Sequence, residues 1–169
     1  MASSPPLTPL AAAVLHVGVP ERILQIECGD GEAPLFLARE FPSARIRGVD
    51  GSAEAVRRAA ARVGLDPEGR IAFKKGTPRS LPFPANHFDL LAAVDALPAA
   101  AEATRVLRPG GFLALAATGA RGVPAGFRGK LLRRRLARLG FESIWSEAAG
   151  DGSFFVARLA GGGPPGVAV

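Results

Sequence analysis

Two glycines, a glutamate and a distant aspartate are the first residues in this chain that could do chemistry together. The stretch Ile23 to Gly31 reads ILQIECGDG, with apolar residues at Ile23, Leu24, Ile26 and Cys28 running into glycines at 29 and 31. A helix-compatible run, Ala33 to Glu40, follows at once. Strand, tight turn and helix in that order make a cofactor cradle at the carboxyl end of a parallel strand. Access is the reason. A side chain at either glycine would hold a ligand off the backbone, and the helix start offers unpaired N–H groups. Asp50 stands about 20 residues beyond the turn, where an open α/β sheet presents a carboxylate to ribose hydroxyls. The plainer use of the same residue is a turn aspartate ahead of a helix cap.

Other reactive side chains are sparse. His87, beside Asn86, is a weak candidate for a general base, and a solvated loop histidine is its bland reading. Asp95, after the apolar run Leu90 to Val94, is a weak candidate for orienting a substrate, against a capping role before Leu97. The two histidines and the single cysteine lie far apart without ligand spacing, so no metal set is expected.

These groups need a frame, and the pattern supplies one. Strands are expected at Ile23 to Cys28, Arg45 to Val49, Ile71 to Lys74 and Phe88 to Val94. The fourth is unbroken in its apolar residues, as a strand buried on both faces would be. The helix after the glycine turn ends near Glu40, because Pro42 cannot continue it. Ser52 is a good N-cap for Ala53 to Val63, and Gly64 a good stop. A helix over Ala99 to Leu107 ends at Pro109-Gly110-Gly111, read as a hard stop and turn before a strand at Phe112 to Ala117. Pro124 to Leu139 reads as a last helix, with Leu131, Leu132, Leu136 and Leu139 on one side and arginines opposite. Phe141 to Trp145 and Ser153 to Leu159 then form an antiparallel hairpin. That is one α/β domain closed by an edge hairpin.

At 169 residues the chain is one domain by length, large enough to bury a core without staples. Cys28 is its only cysteine, so no intrachain disulfide forms, which fits a cytoplasmic setting. Leu10 to Val19 is too short and interrupted to span a bilayer, and Leu10 to Leu15 suits a short helix beside the first strand. The net charge is +6, and it is uneven: residues 121 to 138 hold seven arginines and lysines and no acid. A solvated helix face is the ordinary reading, and a patch for an acidic substrate, RNA or a membrane surface is the other. Zinc-finger spacing, RNP-type aromatics and tyrosines for base stacking are all missing, so nucleic acid has only the basic helix 124–139 in its favour.

The linked motifs are ILQIECGDG with LAREFP behind it, IRGVDGS, LPFPANHFDLL, RVLRPGG and the closing LGF with SFFVARL. Together they resemble the class I S-adenosylmethionine-dependent methyltransferases, in the small-molecule branch often called type 11, from about Ile23 to Leu159. The resemblance implies a Rossmann-like three-layer α/β sandwich: a mostly parallel seven-stranded sheet with helices on both faces and an antiparallel final strand. The domain is then residues 21–160, after a partly disordered extension at 1–20 and before a disordered Gly/Pro tail at 161–169. It also implies S-adenosyl-L-methionine as cofactor, with Cys28, Gly29, Asp30 and Gly31 wrapping the methionine part. Asp50, with Gly51 and Ser52 beside it, would hold the ribose hydroxyls, and Thr77 and Pro78 would face the adenine. Phe88, Asp89 and RVLRPGG would be framework.

This chain departs from the family pattern D-x-G-x-G-x-G in two places: Gln25 takes the acidic position and Glu27 the first glycine. A strand has period two, so Gln25 and Glu27 face the same way, roughly 7 Å apart. Glu27 is therefore read as replacing the missing carboxylate toward the cofactor's ammonium; the alternative is that its side chain fills part of the pocket. Thr77 stands where an aspartate usually binds the adenine amino group, and Pro78 has no N–H to offer the ring.

The expected function is transfer of a methyl group from the sulfonium to a small-molecule acceptor. This in-line displacement depends on proximity and needs no fixed catalytic residue. The N-P-P-Y type motif of amino-methylating nucleic-acid enzymes is missing after Val94, and the loop there is short for type 11. The alternative is a methyltransferase-like protein with an eroded cofactor site, acting as a non-catalytic binding or partner subunit. A nicotinamide-dependent oxidoreductase would need a glycine near position 34, where Pro34 stands, and leaves RVLRPGG unexplained.

Overall fold

A computed structural model describes residues 7–119 and 127–161, apart from the side chains at 127, 128 and 143–145. In chain order the elements are α1 (Thr8–Val14), β1 (Arg22–Ile26), α2 (Glu32–Glu40), β2 (Arg45–Asp50), α3 (Ala53–Val63) and β3 (Ile71–Lys75). They continue with β4 (Phe88–Val94), α4 (Ala100–Val106), β5 (Leu107–Ala117), α5 (Phe127–Arg138), β6 (Phe141–Ala149) and β7 (Gly152–Leu159). The sheet has seven strands in the order β3-β2-β1-β4-β5-β7-β6. Parallel ladders run from β3 to β5, and β7 is antiparallel to both its neighbours. The Rossmann-like sandwich read from the motifs is the fold. Its strand order reverses between β1 and β4, the switch point where an open α/β sheet leaves a crevice.

Strand alternation sorts the core into two layers. Leu24, Ile26, Leu91 and Leu113 meet α4 and α5 on one face. Ile23, Ile46, Leu90 and Ala114 meet α1 and α2 on the other. Burying β4 and the later part of β5 on both faces is what a parallel sheet demands, and accounts for the apolar runs Leu90–Val94 and Leu113–Ala117. α3 matches its expected span, with the Ser52 hydroxyl accepting the Ala55 N–H at 3.2 Å and Gly64 ending it.

Four expectations need correction. α1 belongs to the core, with Leu10 and Ala13 fully buried, so the folded unit begins well before residue 21. β5 does not start after the Pro-Gly-Gly turn: Leu107 already pairs with Phe88, and the next pair is Leu90 with Phe112. Arg108 to Gly111 bulge between the two pairs, with Gly110 at φ +82°, so turn residues lie inside one strand. β6 runs on to Ala149, and the hairpin closes at Gly152, where a Cβ would lie 2.0 Å from the Ala117 carbonyl oxygen. Leu131 is 60% exposed while Leu136 is buried, because neighbouring helix positions lie about 100° apart. The anticipated disorder at both ends, and the start of the last helix at Pro124, lie outside the described residues, except for Leu7 to Pro20 and Gly161.

The segment between β3 and β4 is pinned by one ion pair. Arg105 donates to the carbonyls of Leu81 and Phe83, and Glu102 accepts the Leu81 N–H at 2.8 Å and a bidentate contact from Arg105. The Arg105 hydrogen bonds hold the Glu102 carboxyl down at about 2. A carboxylate with a depressed value stabilises the fold above its unfolded value near 4.5, and that contribution is lost as pH falls toward about 2. Glu102→Gln should therefore lower the melting temperature by a constant few degrees from neutral pH to about pH 5. Calorimetric scans should show the gap to wild type closing as pH drops below 4.5; a gap that widens in acid would contradict the pinning role.

Candidate functional site

At the carboxyl edge of the sheet, β1 and β2 end side by side and the chain turns sharply after each. Glu27 leaves β1 with φ +52°, a left-handed conformation that costs a side-chain-bearing residue about 1–2 kcal/mol. Gly29 (φ +52°) and Gly31 (φ +89°) complete the turn, closed by the Gly31 N–H on the Cys28 carbonyl at 2.9 Å. Gly31 is a glycine for a second reason: a Cβ there would stand 3.1 Å from Ala59, so α3 would be pushed off the start of α2. A Cβ on Gly29 would meet nothing within 4 Å. The space over the turn is open.

Asp50 organises this edge. Its carboxylate is buried and accepts the Gly29 N–H on Oδ2 at 3.0 Å and the Ser52 N–H on Oδ1 at 2.9 Å. One side chain thus fixes the glycine turn to the N-cap of α3. Each oxygen keeps a second lone pair for another donor. Its backbone carbonyl also accepts the Gly76 N–H at 3.0 Å, which brings Thr77 and Pro78 to the same edge. The Pro78 carbonyl in turn accepts the Ala99 N–H at 2.9 Å, at the start of α4.

Most residues singled out from the sequence meet here. Gln25 is 1% exposed; its amide donates to the Ile26 carbonyl at 2.7 Å, while Oε1 is buried without a partner. Glu27 is exposed at the strand end, and partial desolvation, then the Asp50 charge, raise its carboxyl above the ordinary value. Burial first, then Asp50, push the Cys28 thiol up to about 12, so it is protonated and unreactive at neutral pH. Asp30 keeps its backbone in the turn, but its carboxylate pairs with Arg62 at 2.7 Å on the solvent side.

Asp95 and His87 part company. Asp95 sits at this edge with φ +53° and does not cap α4, whose N-cap is Ala99. Its Oδ1 accepts the Thr118 N–H at 2.8 Å and its Oδ2 accepts the Thr118 hydroxyl, a clamp between the ends of β4 and β5. Nothing in the sequence marked Thr118 as its partner. His87 lies before β4, at the opposite edge, a strand length of roughly 20 Å away. Its ring stands 3.5 Å from the Arg22 guanidinium, and desolvation, then Arg22, Arg108 and Arg47, hold its basicity down. A cavity of about 440 Å³ also opens at that edge, between Val17–Glu21 and Arg108–Phe112. Its charged residues are framework: Asp89 accepts the N–H groups of Glu21 and Arg22 and pairs with Arg108 at 3.2 Å.

Among the described residues no cluster of His, Cys, Asp and Glu could hold a metal ion. The carboxyl edge offers something else: carboxylates at 27 and 50, an orphaned acceptor at Gln25 and open space over Gly29. These suit a ligand bringing hydroxyl donors and positive charge. Removing the Asp50 carboxylate strands two backbone donors, each worth about 1.5–3 kcal/mol to a charged acceptor. Asp50→Ala should cost about 3 kcal/mol in urea unfolding, and Asp50→Asn, which keeps one acceptor, about half as much; a loss below 1 kcal/mol for the alanine variant, roughly one neutral hydrogen bond, would show that the clamp is not made.

Comparison with known proteins agrees with this fold. The profile of a methyltransferase domain family matches residues 23–111, just over half of the chain. A 27-O-demethylrifamycin SV methyltransferase from Amycolatopsis mediterranei is 33% identical over 117 residues, covering 64% of this chain and 43% of that protein. A trans-aconitate 2-methyltransferase from Streptomyces avermitilis is 30% identical over 143 residues, covering 78% and 49%. The chain thus spans less than half the length of these two relatives. Among solved structures, a methyltransferase in complex with the Haloferax volcanii Trm112 methyltransferase activator superposes with a TM-score of 0.73 at 18% identity, covering 92% of this chain and 90% of that one. That likeness concerns the fold. With the matched domain, the sheet order and the glycine turn together, the chain belongs to the class I S-adenosylmethionine-dependent methyltransferase family.

Proposed function

We propose that the carboxyl-edge cleft binds S-adenosyl-L-methionine and that the protein transfers its methyl group to a small-molecule acceptor held over the ends of β4 and β5. The observation that carries this reading is Asp50, buried at the switch-point edge with its carboxylate against the glycine turn and lone pairs to spare. In it, Asp50 takes the ribose hydroxyls, and the turn from Cys28 to Gly31 lies along the methionine part. Glu27 and Gln25 accept from the ammonium, with Gly51 and Ser52 beside Asp50 and Thr77 and Pro78 beside the adenine. The sulfonium supplies an activated methyl group. The chain's own contribution is alignment and exclusion of water, which proximity effects make sufficient for displacement. Asp95, clamped by Thr118, positions the acceptor side and is not assigned a proton transfer. Relatives named for methylating rifamycin-type and aconitate acceptors support a small molecule over a macromolecule.

One observation favours a second reading, a cofactor-poor partner subunit: a glutamate holds left-handed backbone where the family has glycine. Calorimetric titration with S-adenosyl-L-methionine separates the two. Wild type should bind in the micromolar range, and Glu27→Gln about tenfold more weakly, as loss of one charged hydrogen bond implies. Wild-type affinity should rise with pH through the raised Glu27 value, because the ionised carboxylate is the binding form, while Glu27→Gln stays flat. Glu27→Gly should gain about 1 kcal/mol of stability by relieving the backbone yet lose affinity. Tighter binding by Glu27→Gly would mean the glutamate plugs the cleft and would support the partner-subunit reading.

A further inference from the structure

Charge is not spread evenly over the two faces of the sandwich. On the solvent side of α5, Lys130, Arg134, Arg135 and Arg138 are exposed, with the 60%-exposed Leu131 among them. Lys130, Arg134 and Arg138 stand four residues apart, a like-charge row that works against helix stability. The same face of the sheet continues the pattern. Arg22 alternates with Leu24 and Ile26, and Arg45 and Arg47 with Val49, the residues that point toward the α4–α5 layer. Lys74 pairs in register with Val49 and shares that side.

These eight cations make no salt bridge with a carboxylate among the described residues. The nearest acids are engaged elsewhere. Asp66 accepts the Ile71 N–H, Asp89 is bonded to backbone and Arg108, and Glu102 is bonded to Arg105. On the opposite face, Arg58 and Arg62 are matched by Glu54 and Asp30. Eight cations without a carboxylate partner among the described residues thus run along this side, from the β3 edge to α5.

We propose that this face docks on an anionic lipid bilayer, with the cations of α5 and of β1–β3 among the headgroup phosphates and Leu131 dipping below them. Breadth argues for a surface: the cations spread across the sheet and α5 instead of lining a groove. An exposed leucine at the centre of a basic helix suits the boundary between headgroups and acyl chains. Phe83, whose ring lies beneath the Lys74 ammonium at 5.4 Å, is half-buried and not free to stack on a base. Attachment is peripheral, since among the described residues no helix is long and apolar enough to cross a membrane. α5 connects the carboxyl end of β5 to the amino end of β6, so its first turn lies at the edge that carries the cleft. Docking would bring that edge close to the bilayer. The inference holds whether or not the cleft is active, and its test needs no turnover.

The experiment is co-sedimentation of the full chain with vesicles of phosphatidylcholine alone or with roughly one third phosphatidylglycerol. The protein should pellet only with the anionic vesicles at low ionic strength and be released by salt. Each basic residue facing an anionic leaflet contributes about fivefold, so the double variant Arg134→Ala, Arg138→Ala should bind about 25-fold more weakly. Leu131→Ser leaves every charge in place and should bind several-fold more weakly. All these positions are exposed, and circular dichroism is the check that the variants fold. Four results would overturn the proposal: no binding to anionic vesicles at low salt, equal binding to neutral ones, unchanged binding of either variant, or release from vesicles by single-stranded RNA at equal phosphate concentration.

Discussion

The Asp50 carboxylate joins the turn after β1 to the head of α3 through two charged hydrogen bonds. One oxygen takes the N–H of Gly29 in the turn after β1, and the other takes the N–H of Ser52 at the head of α3. The Ser52 hydroxyl then receives the Ala55 N–H, and Arg62 at the far end of α3 returns to Asp30 in the same turn. Gly31 lets α3 pack within 3.1 Å of where a Cβ would stand. A left-handed turn, two helix starts and two strand ends are therefore set by one buried acid. The exposed Arg62–Asp30 pair adds little energy of its own. The buried acceptor is the part that cannot be given up.

The two edges of the sheet divide the labour. At the amino edge, Asp89 gathers the starts of β1 and β4 and the bulged start of β5, while desolvation and then the surrounding arginines lower the basicity of His87. At the carboxyl edge, acids hold unfavourable backbone: Glu27 and Asp95 both sit at positive φ. Strain of this kind persists only where the surroundings over-determine it, and it gathers at sites that hold ligands. Asp95 is held there by Thr118, and Glu27 by the turn that Asp50 fixes.

Much of this was legible in the residues, for local reasons. α3 was readable at both ends because a serine cap and a glycine stop bound it, and β4 because an unbroken apolar run leaves no other use for it. The turn at 28–31 and the acid at 50 were visible from spacing. The misses are non-local. Proline and two glycines inside β5 read as a break because the bulge that absorbs them exists only against β4. Asp95 looked like a cap because its true partner, Thr118, is 23 residues away in sequence and adjacent only across the sheet. The part of α1 in the core and the exposure of Leu131 depend on which face meets the sheet, which composition does not reveal. His87 stood as a weak candidate base, and only the topology, which decides at which edge a loop ends, places it at the amino edge.

The central claim is that the edge organised by Asp50 is the cofactor site. Amide chemical-shift mapping of the isotope-labelled protein during titration with S-adenosylhomocysteine tests it most directly. The account predicts saturable shifts at Gly29, Gly31 and Ser52, with little change at Gly110 and Gly111 on the opposite edge. Shifts gathered around Asp89 and Arg108, or none at the glycine turn under saturating ligand, would contradict it.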